Sequence, residues 1–144
     1  MYKRILLPTD GSEITGKAVE TAVKLAATLG AEVSALAVKE PFPYSAISEM
    51  QPVPPQEFFD TQDRIATRNL GLVRTACGAV GVKCNALAIE AVHPWVAILE
   101  QAKVQGADLI VMASHGRRGM SALLLGSETQ KVLIHGSIPV LVVR

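Results

Sequence analysis

Residues 109–129 read LIVMASHGRRGMSALLLGSET. Leu109 to Ala113 form the most hydrophobic strand candidate of the chain, apolar at every position, as a strand buried on both faces must be. Glycines follow at 116, 119 and 126, and Ser127-Glu128-Thr129 opens a helical pattern that runs to about residue 135. A buried strand that passes through a glycine-bearing loop into a helix is part of a strand–helix–strand unit, and the rest of the sequence repeats that unit.

Downstream, residues 138–143 (IPVLVV) read as a closing strand. Upstream, Pro94 suits the first turn of a helix that runs to about Gln105, and Gly106-Ala107-Asp108 makes the turn into residue 109. Residues 82–89 read as a strand, and residues 56–79 as a helix. Two apolar stripes mark that helix, one with Phe58, Ile65, Leu72 and Ala76, the other with Phe59, Ala66, Val73, Cys77 and Val80. Residues 31–39 are a further strand. Residues 13–29 carry Ala18, Val19, Ala22, Val23, Ala26 and Leu29 at helical spacing, with Gly30 as the stop. Residues 3–8 are the first strand, and Thr9-Asp10-Gly11-Ser12 the turn after it. The alternation β-α-β-α-β-α-β-α-β predicts one α/β domain over residues 1–144, with a mostly parallel sheet, right-handed crossovers and helices on both faces. Ligands in such sheets bind beyond the carboxyl ends of the strands, where the winding reverses.

Composition agrees. A chain of 144 residues that is 49% hydrophobic but only 4% aromatic builds its core from Val, Leu, Ile and Ala. Residues 40–56 interrupt the pattern with five prolines and predict a mobile surface loop, read either as an inconsequential insertion or as a lid or partner surface. A net charge of +1 gives no general pull toward nucleic acid or an anionic membrane. Cys77 and Cys84 read as buried thiols of a reducing compartment, and the three histidines show no metal-ligand spacing. No stretch has the roughly 18 apolar residues of a spanning helix, and the amino terminus has no signal-peptide core. A cytoplasmic location is the expectation.

Two turns have the chemistry of a phosphate cradle. In the first, Gly11 to Ala18 fits G-x-x-x-x-G-K but ends in Ala18 where a P-loop has its magnesium-binding hydroxyl, and Gly16 and Lys17 fall inside the predicted helix. The second turn, Met112 to Thr129, is richer. Gly116 and Gly119 let the backbone approach a ligand. Gly126-Ser127 precedes a helix, where free N–H groups and the helix dipole favour an anion. Ser127 and Thr129 add hydroxyls, although Ser127 also suits a helix cap. Arg117 and Arg118 read either as polyphosphate ligands or as a solvated pair. His115 has no carboxylate or nucleophile at a telling spacing.

These residues resemble those of the universal stress protein family. The resemblance runs from Ile5-Leu-Leu-Pro-Thr-Asp-Gly-Ser12, through Gly106-Ala-Asp-Leu-Ile-Val-Met-Ala-Ser-His-Gly116, to Leu123-Leu-Leu-Gly-Ser127 and Ile138-Pro-Val-Leu-Val-Val-Arg144. The family's ATP-binding branch carries G-2x-G-9x-G-[ST]; here Gly116, Gly126 and Ser127 fill the last three positions, and Ala113 stands where the first glycine belongs. The resemblance implies an open, Rossmann-like five-stranded sheet of the adenine nucleotide alpha-hydrolase-like kind, in the order 3-2-1-4-5. It implies ATP, or AMP or ADP, as ligand, with any Mg or Mn held by the phosphates rather than by a protein metal site. Pro8, Thr9 and Asp10 would flank the adenosine, Val38 would meet the adenine through its backbone, and Met112 and Ala113 would line the pocket. Ser114, Gly116, Arg117, Gly119, Gly126, Ser127, Glu128 and Thr129 would surround the phosphates, Glu128 only through its N–H.

The resemblance further implies a homodimer paired through residues 138–143, and a regulatory stress-response role in which nucleotide occupancy tunes an unidentified protein partner. No base is placed for an attacking water, so no catalytic residue is assigned and any hydrolysis should be slow. The alternatives are a slow ATP-hydrolysing or nucleotidyl-transfer enzyme using His115, Arg117 and Arg118, and an interaction module whose pocket Ala113 has emptied.

Overall fold

The computed structural model describes residues 1–43, 55–116 and 125–144. The central part of the predicted loop, 44–54, and residues 117–124 lie outside the described residues. In chain order the elements are β1 (Arg4–Pro8), α1 (Glu13–Leu29), β2 (Glu32–Lys39), α2 (Gln56–Ala79), β3 (Cys84–Glu90), α3 (Pro94–Val104), β4 (Leu109–Ala113), α4 (Ser127–His135) and β5 (Val140–Val143). All neighbouring strands pair in parallel, in the order β3-β2-β1-β4-β5. The chain winds outward from β1 to β3, returns to β4, and winds outward again to β5. The direction of winding therefore reverses between β1 and β4, and their carboxyl ends open a crevice there.

Side-chain alternation divides the core into two layers. Ile5 and Leu7 of β1, Val33 and Ala35 of β2, and Leu109 and Val111 of β4 face α1 and α2. Leu6, Leu36, Ile110 and Met112 face α3 and α4, against Ile98, Ala102 and Val132. Ile5, Leu6 and Leu7 are fully buried, and each such side chain contributes about 1.5–3 kcal/mol through burial. Small alanines on α1 (Ala18, Ala22 and Ala26, all fully buried) let that helix lie close to the sheet.

Local chemistry sets the element ends. Ser12 caps α1, its side chain accepting the Thr15 N–H at 3.3 Å. Gly30 ends α1 in the left-handed conformation (φ 66°), its N–H donating to the Ala26 carbonyl. The closing strand begins at Val140, two residues later than its hydrophobic run: Pro139 has no N–H to give, and its carbonyl accepts the Ile110 N–H at 2.9 Å. The third strand likewise begins at Cys84 rather than at residue 82.

The two stripes read along α2 are corrected by the packing. Its buried face is Ala66, Asn69, Leu70, Val73 and Cys77, whereas Leu72 and Val80 are exposed. At 3.6 residues per turn Leu72 falls well off the line through Val73 and Cys77. Cys77 is buried as expected, but Cys84 on the edge strand is only partly so; both are free thiols. Burial, with Cys84 beside it, pushes the Cys77 thiol up to about 12. At the amino ends of the strands, Asp108 accepts the N–H groups of Lys3 (2.9 Å) and Arg4 (3.0 Å) and ties β1 to β4. Partial burial works to raise its carboxyl pKa, but these N–H groups and its own outweigh that and hold it below the usual value.

Candidate functional site

A cavity of about 760 Å³ opens at the carboxyl ends of β1, β2 and β4, within the size range of small-molecule sites. Pro8, Leu36, Val38, Met112 and Ala113 supply its floor from the strand ends. The β1–α1 corner forms one wall and the start of α4 another, while Gln62 and Ile65 of α2 and Pro94 and Ile98 of α3 close the flanks.

In the β1–α1 corner, Thr9 and Asp10 line the cavity. The Thr9 N–H donates to the Leu36 carbonyl at 2.9 Å, extending the ladder one residue past β1. Asp10 Oδ1 accepts the Ser12 N–H (2.9 Å) and the Thr15 hydroxyl (2.7 Å), which fixes the carboxylate against the first turn of α1. Gly11 takes φ +76°, and a Cβ there would collide with the Asn69 side chain. Gly16 and Lys17 are exposed within α1 and do not line the cavity, so the P-loop-like run is not a cradle here.

The β4–α4 corner is built differently. Ala113 ends β4 on the cavity floor, and no non-glycine among the described residues has positive φ. The position held by glycine in the ATP-binding pattern therefore imposes no backbone strain on alanine. A Cβ on Gly116 would come within 2.6 Å of Asp10 Oδ2, and one on Gly126 within 2.9 Å of both the Ser114 carbonyl and His115 Cα. These glycines let three segments of chain meet at one point. Gly126 is the N-cap of α4 and supplies no side-chain cap. The amides of Ser127, Glu128 and Thr129 precede the first intrahelical bond, Gln130 N–H to the Gly126 carbonyl at 3.0 Å, at the positive end of the helix dipole.

The predicted side chains differ in what they can offer. Ser127 is exposed at the first helical position, its hydroxyl not used as the cap. The Thr129 hydroxyl donates to the Ala113 carbonyl at 2.9 Å, so its proton is engaged within the fold. Glu128 Oε2 accepts the Trp95 N–H at 2.8 Å, which turns its carboxylate toward the first turn of α3. The Trp95 ring also stacks on His135, two turns further along α4, at a centroid distance of 4.6 Å. Ser114 is buried and lies outside the cavity lining, its hydroxyl 3.1 Å from His115 Nδ1. Arg117 and Gly119, like Arg118, lie outside the described residues. The other predicted residues come together around the cavity.

Beyond Pro8 the floor is an open strand edge. Leu36 turns its carbonyl toward β1, and Lys39 turns its own toward β3, where the Ala91 N–H donates to it at 3.2 Å. Val38, in phase with Leu36, therefore directs its N–H and C=O to the β1 side, past the point where β1 ends. Among the lining residues that sequence reasoning did not place here are Gln62 and Ile65, whereas His115, a candidate of the enzymatic alternative, does line the cavity. No local pattern announces Gln62 or Ile65, because only the packing of α2 beside β2 brings them to the cavity.

The profile of the universal stress protein family matches residues 1–144. Universal stress protein MJ0531 of Methanocaldococcus jannaschii is 33% identical over 153 aligned residues, covering 100% of this chain and 83% of that protein. The solved structure of MJ0577 from the same organism superposes with a TM-score of 0.84 at 29% identity, covering 99% of this chain and 96% of that one. A universal stress protein solved in complex with cAMP superposes with a TM-score of 0.73 at 25% identity, covering 99% of this chain and 97% of that one. Sequence, strand order and the crevice at the reversal of winding thus agree, and the chain belongs to the universal stress protein family.

Proposed function

We propose that the chain is a regulatory protein of the family's ATP-binding branch that holds an adenine nucleotide (ATP, or ADP or AMP) in the cavity between β1 and β4. The observation that carries this reading is the start of α4, whose N-cap Gly126 offers no side-chain cap, set at the cavity by glycines that let it pack against the end of β4 and the β1–α1 corner. Such a helix start presents three N–H groups to an anion. The relative solved with cAMP supports an adenine nucleotide as the ligand class. The phosphates would lie against Gly116, Gly126 and the amides of Ser127 to Thr129, with Arg117 and Gly119 completing the cradle. The adenosine would lie toward Pro8, Thr9, Asp10, Val38 and Met112. A magnesium or manganese ion would be carried by the phosphates.

The protein acts as a cytoplasmic homodimer in this reading, paired through residues 138–143, with occupancy changing the 40–56 segment or the dimer surface and so a protein partner. In support, β5 is an edge strand, and Leu141 on it and Leu133 and Ile134 on α4 are exposed. A bare apolar edge is an aggregation hazard that a second copy would cover. No helix among the described residues is long and apolar enough to cross a membrane.

Thermal unfolding with and without ATP and magnesium tests the site. At a hundredfold excess over Kd a ligand adds about 2.7 kcal/mol, a rise of roughly 5–10 °C for a chain of this size. No rise at millimolar ATP sinks the proposal. The enzymatic alternative draws on His115, which lines the cavity. Phosphate release faster than about one per minute, lost in His115→Ala, would favour it.

A further inference from the structure

Gln62 lies on the α2 flank of the cavity, and its carboxamide is already oriented. The backbone N–H of Glu40 donates to Gln62 Oε1 at 3.1 Å. A backbone N–H can only donate, so this contact fixes which end of the carboxamide is oxygen. The Nε2 end then carries two donors, and no acceptor among the described residues takes them. Glu40 is in phase with Val38, so its N–H would be the next donor along the same strand edge. Gln62 covers that N–H and offers its own N–H groups in its place. With Nε2 turned to the ligand, the edge would present in strand order a donor (Val38 N–H), an acceptor (Val38 C=O) and a donor (Gln62 Nε2).

We propose that Gln62 is a purine-orienting residue whose Nε2 donates to N7 of a bound adenine, completing that row. Adenine presents the complement along one side: N1 accepts, the 6-amino group donates and N7 accepts. Guanine presents a donor at N1 and an acceptor at O6, opposing Val38 at both positions while leaving N7 unchanged. Val38 thus separates the two purines, and Gln62 sets how firmly and in which orientation the purine is held. The proposal rests on the adenine-nucleotide reading above.

The test titrates the full-length protein and its Gln62→Ala variant with ATP and with 7-deaza-ATP, which lacks the N7 acceptor. The wild-type protein should bind 7-deaza-ATP about five- to tenfold more weakly than ATP. Gln62→Ala should bind both with equal affinity, near the wild-type value for 7-deaza-ATP. Gln62→Glu, which keeps an oxygen for the Glu40 N–H but offers no donor, should lose the discrimination in the same way. Equal wild-type binding of the two nucleotides overturns the proposal while leaving the nucleotide site intact, as does a ratio that survives in both variants. A wild-type protein that binds neither overturns the nucleotide reading and this proposal together. Should Gln62→Ala fail to fold, the wild-type ratio and Gln62→Glu still decide.

Discussion

Two strand-to-helix corners face each other across the cavity, and they solve the same problem in opposite ways. Every helix start leaves amides without intrahelical partners. At the β1–α1 corner side chains take two of them: Ser12 takes the Thr15 N–H and Asp10 takes the Ser12 N–H, while Asn69 packs over Gly11. At the β4–α4 corner the N-cap is a glycine with no side-chain cap, and Ser127 stays exposed. In the proposed reading the first corner mainly holds the fold while its Thr9 and Asp10 face the adenosine, and the second receives the phosphates. Glycines alone do not separate the two corners, since Gly11 lies at one and Gly126 at the other.

That contrast can be broken by substitution, from the largest effect to the smallest. Gly126→Asp places a carboxylate at the second corner and should weaken ATP binding at least about a hundredfold by titration, or about 2.7 kcal/mol; unchanged affinity would remove the phosphates from this corner. Gly11→Ala forces a Cβ into a left-handed position already filled by Asn69, and should cost about 2 kcal/mol in denaturant unfolding. Ser12→Ala removes the α1 cap and should cost about 1 kcal/mol, with ATP affinity within twofold of wild type. A large loss of affinity here would show that the first corner also receives the phosphates.

Asp108→Asn provides the control at the far end of the sheet. It should cost under about 1 kcal/mol at neutral pH and leave nucleotide affinity unchanged. The folded-state pKa of Asp108 is depressed, so its contribution is present above the unfolded value and disappears as pH falls through the folded one. The stability gap between wild type and Asp108→Asn should therefore close below about pH 4, measured by urea unfolding across pH.

What was legible in the sequence was what is local. The apolar run at 109–113, the cap at Ser12, the stop at Gly30 and the glycine at 126 each state their structure within a few residues. The strand order came with the family resemblance, because periodicity alone does not order parallel strands. Ala113 could be judged only from its backbone conformation. The roles of Thr129 and Glu128 depend on partners 16 and 33 residues away, and Gln62 reaches the cavity through the docking of α2 beside β2. Asn69 was invisible for a related reason: a polar side chain on a buried helix face explains itself only once Gly11 is seen beneath it.

The pairing of Trp95 with both Glu128 and His135 has a mechanical consequence. One residue of α3 grips α4 at two points, two turns apart, through its backbone at one and its ring at the other. For α4 to roll or slide independently of α3, both contacts must break. A pull on the first turn of α4 therefore loads both contacts with α3.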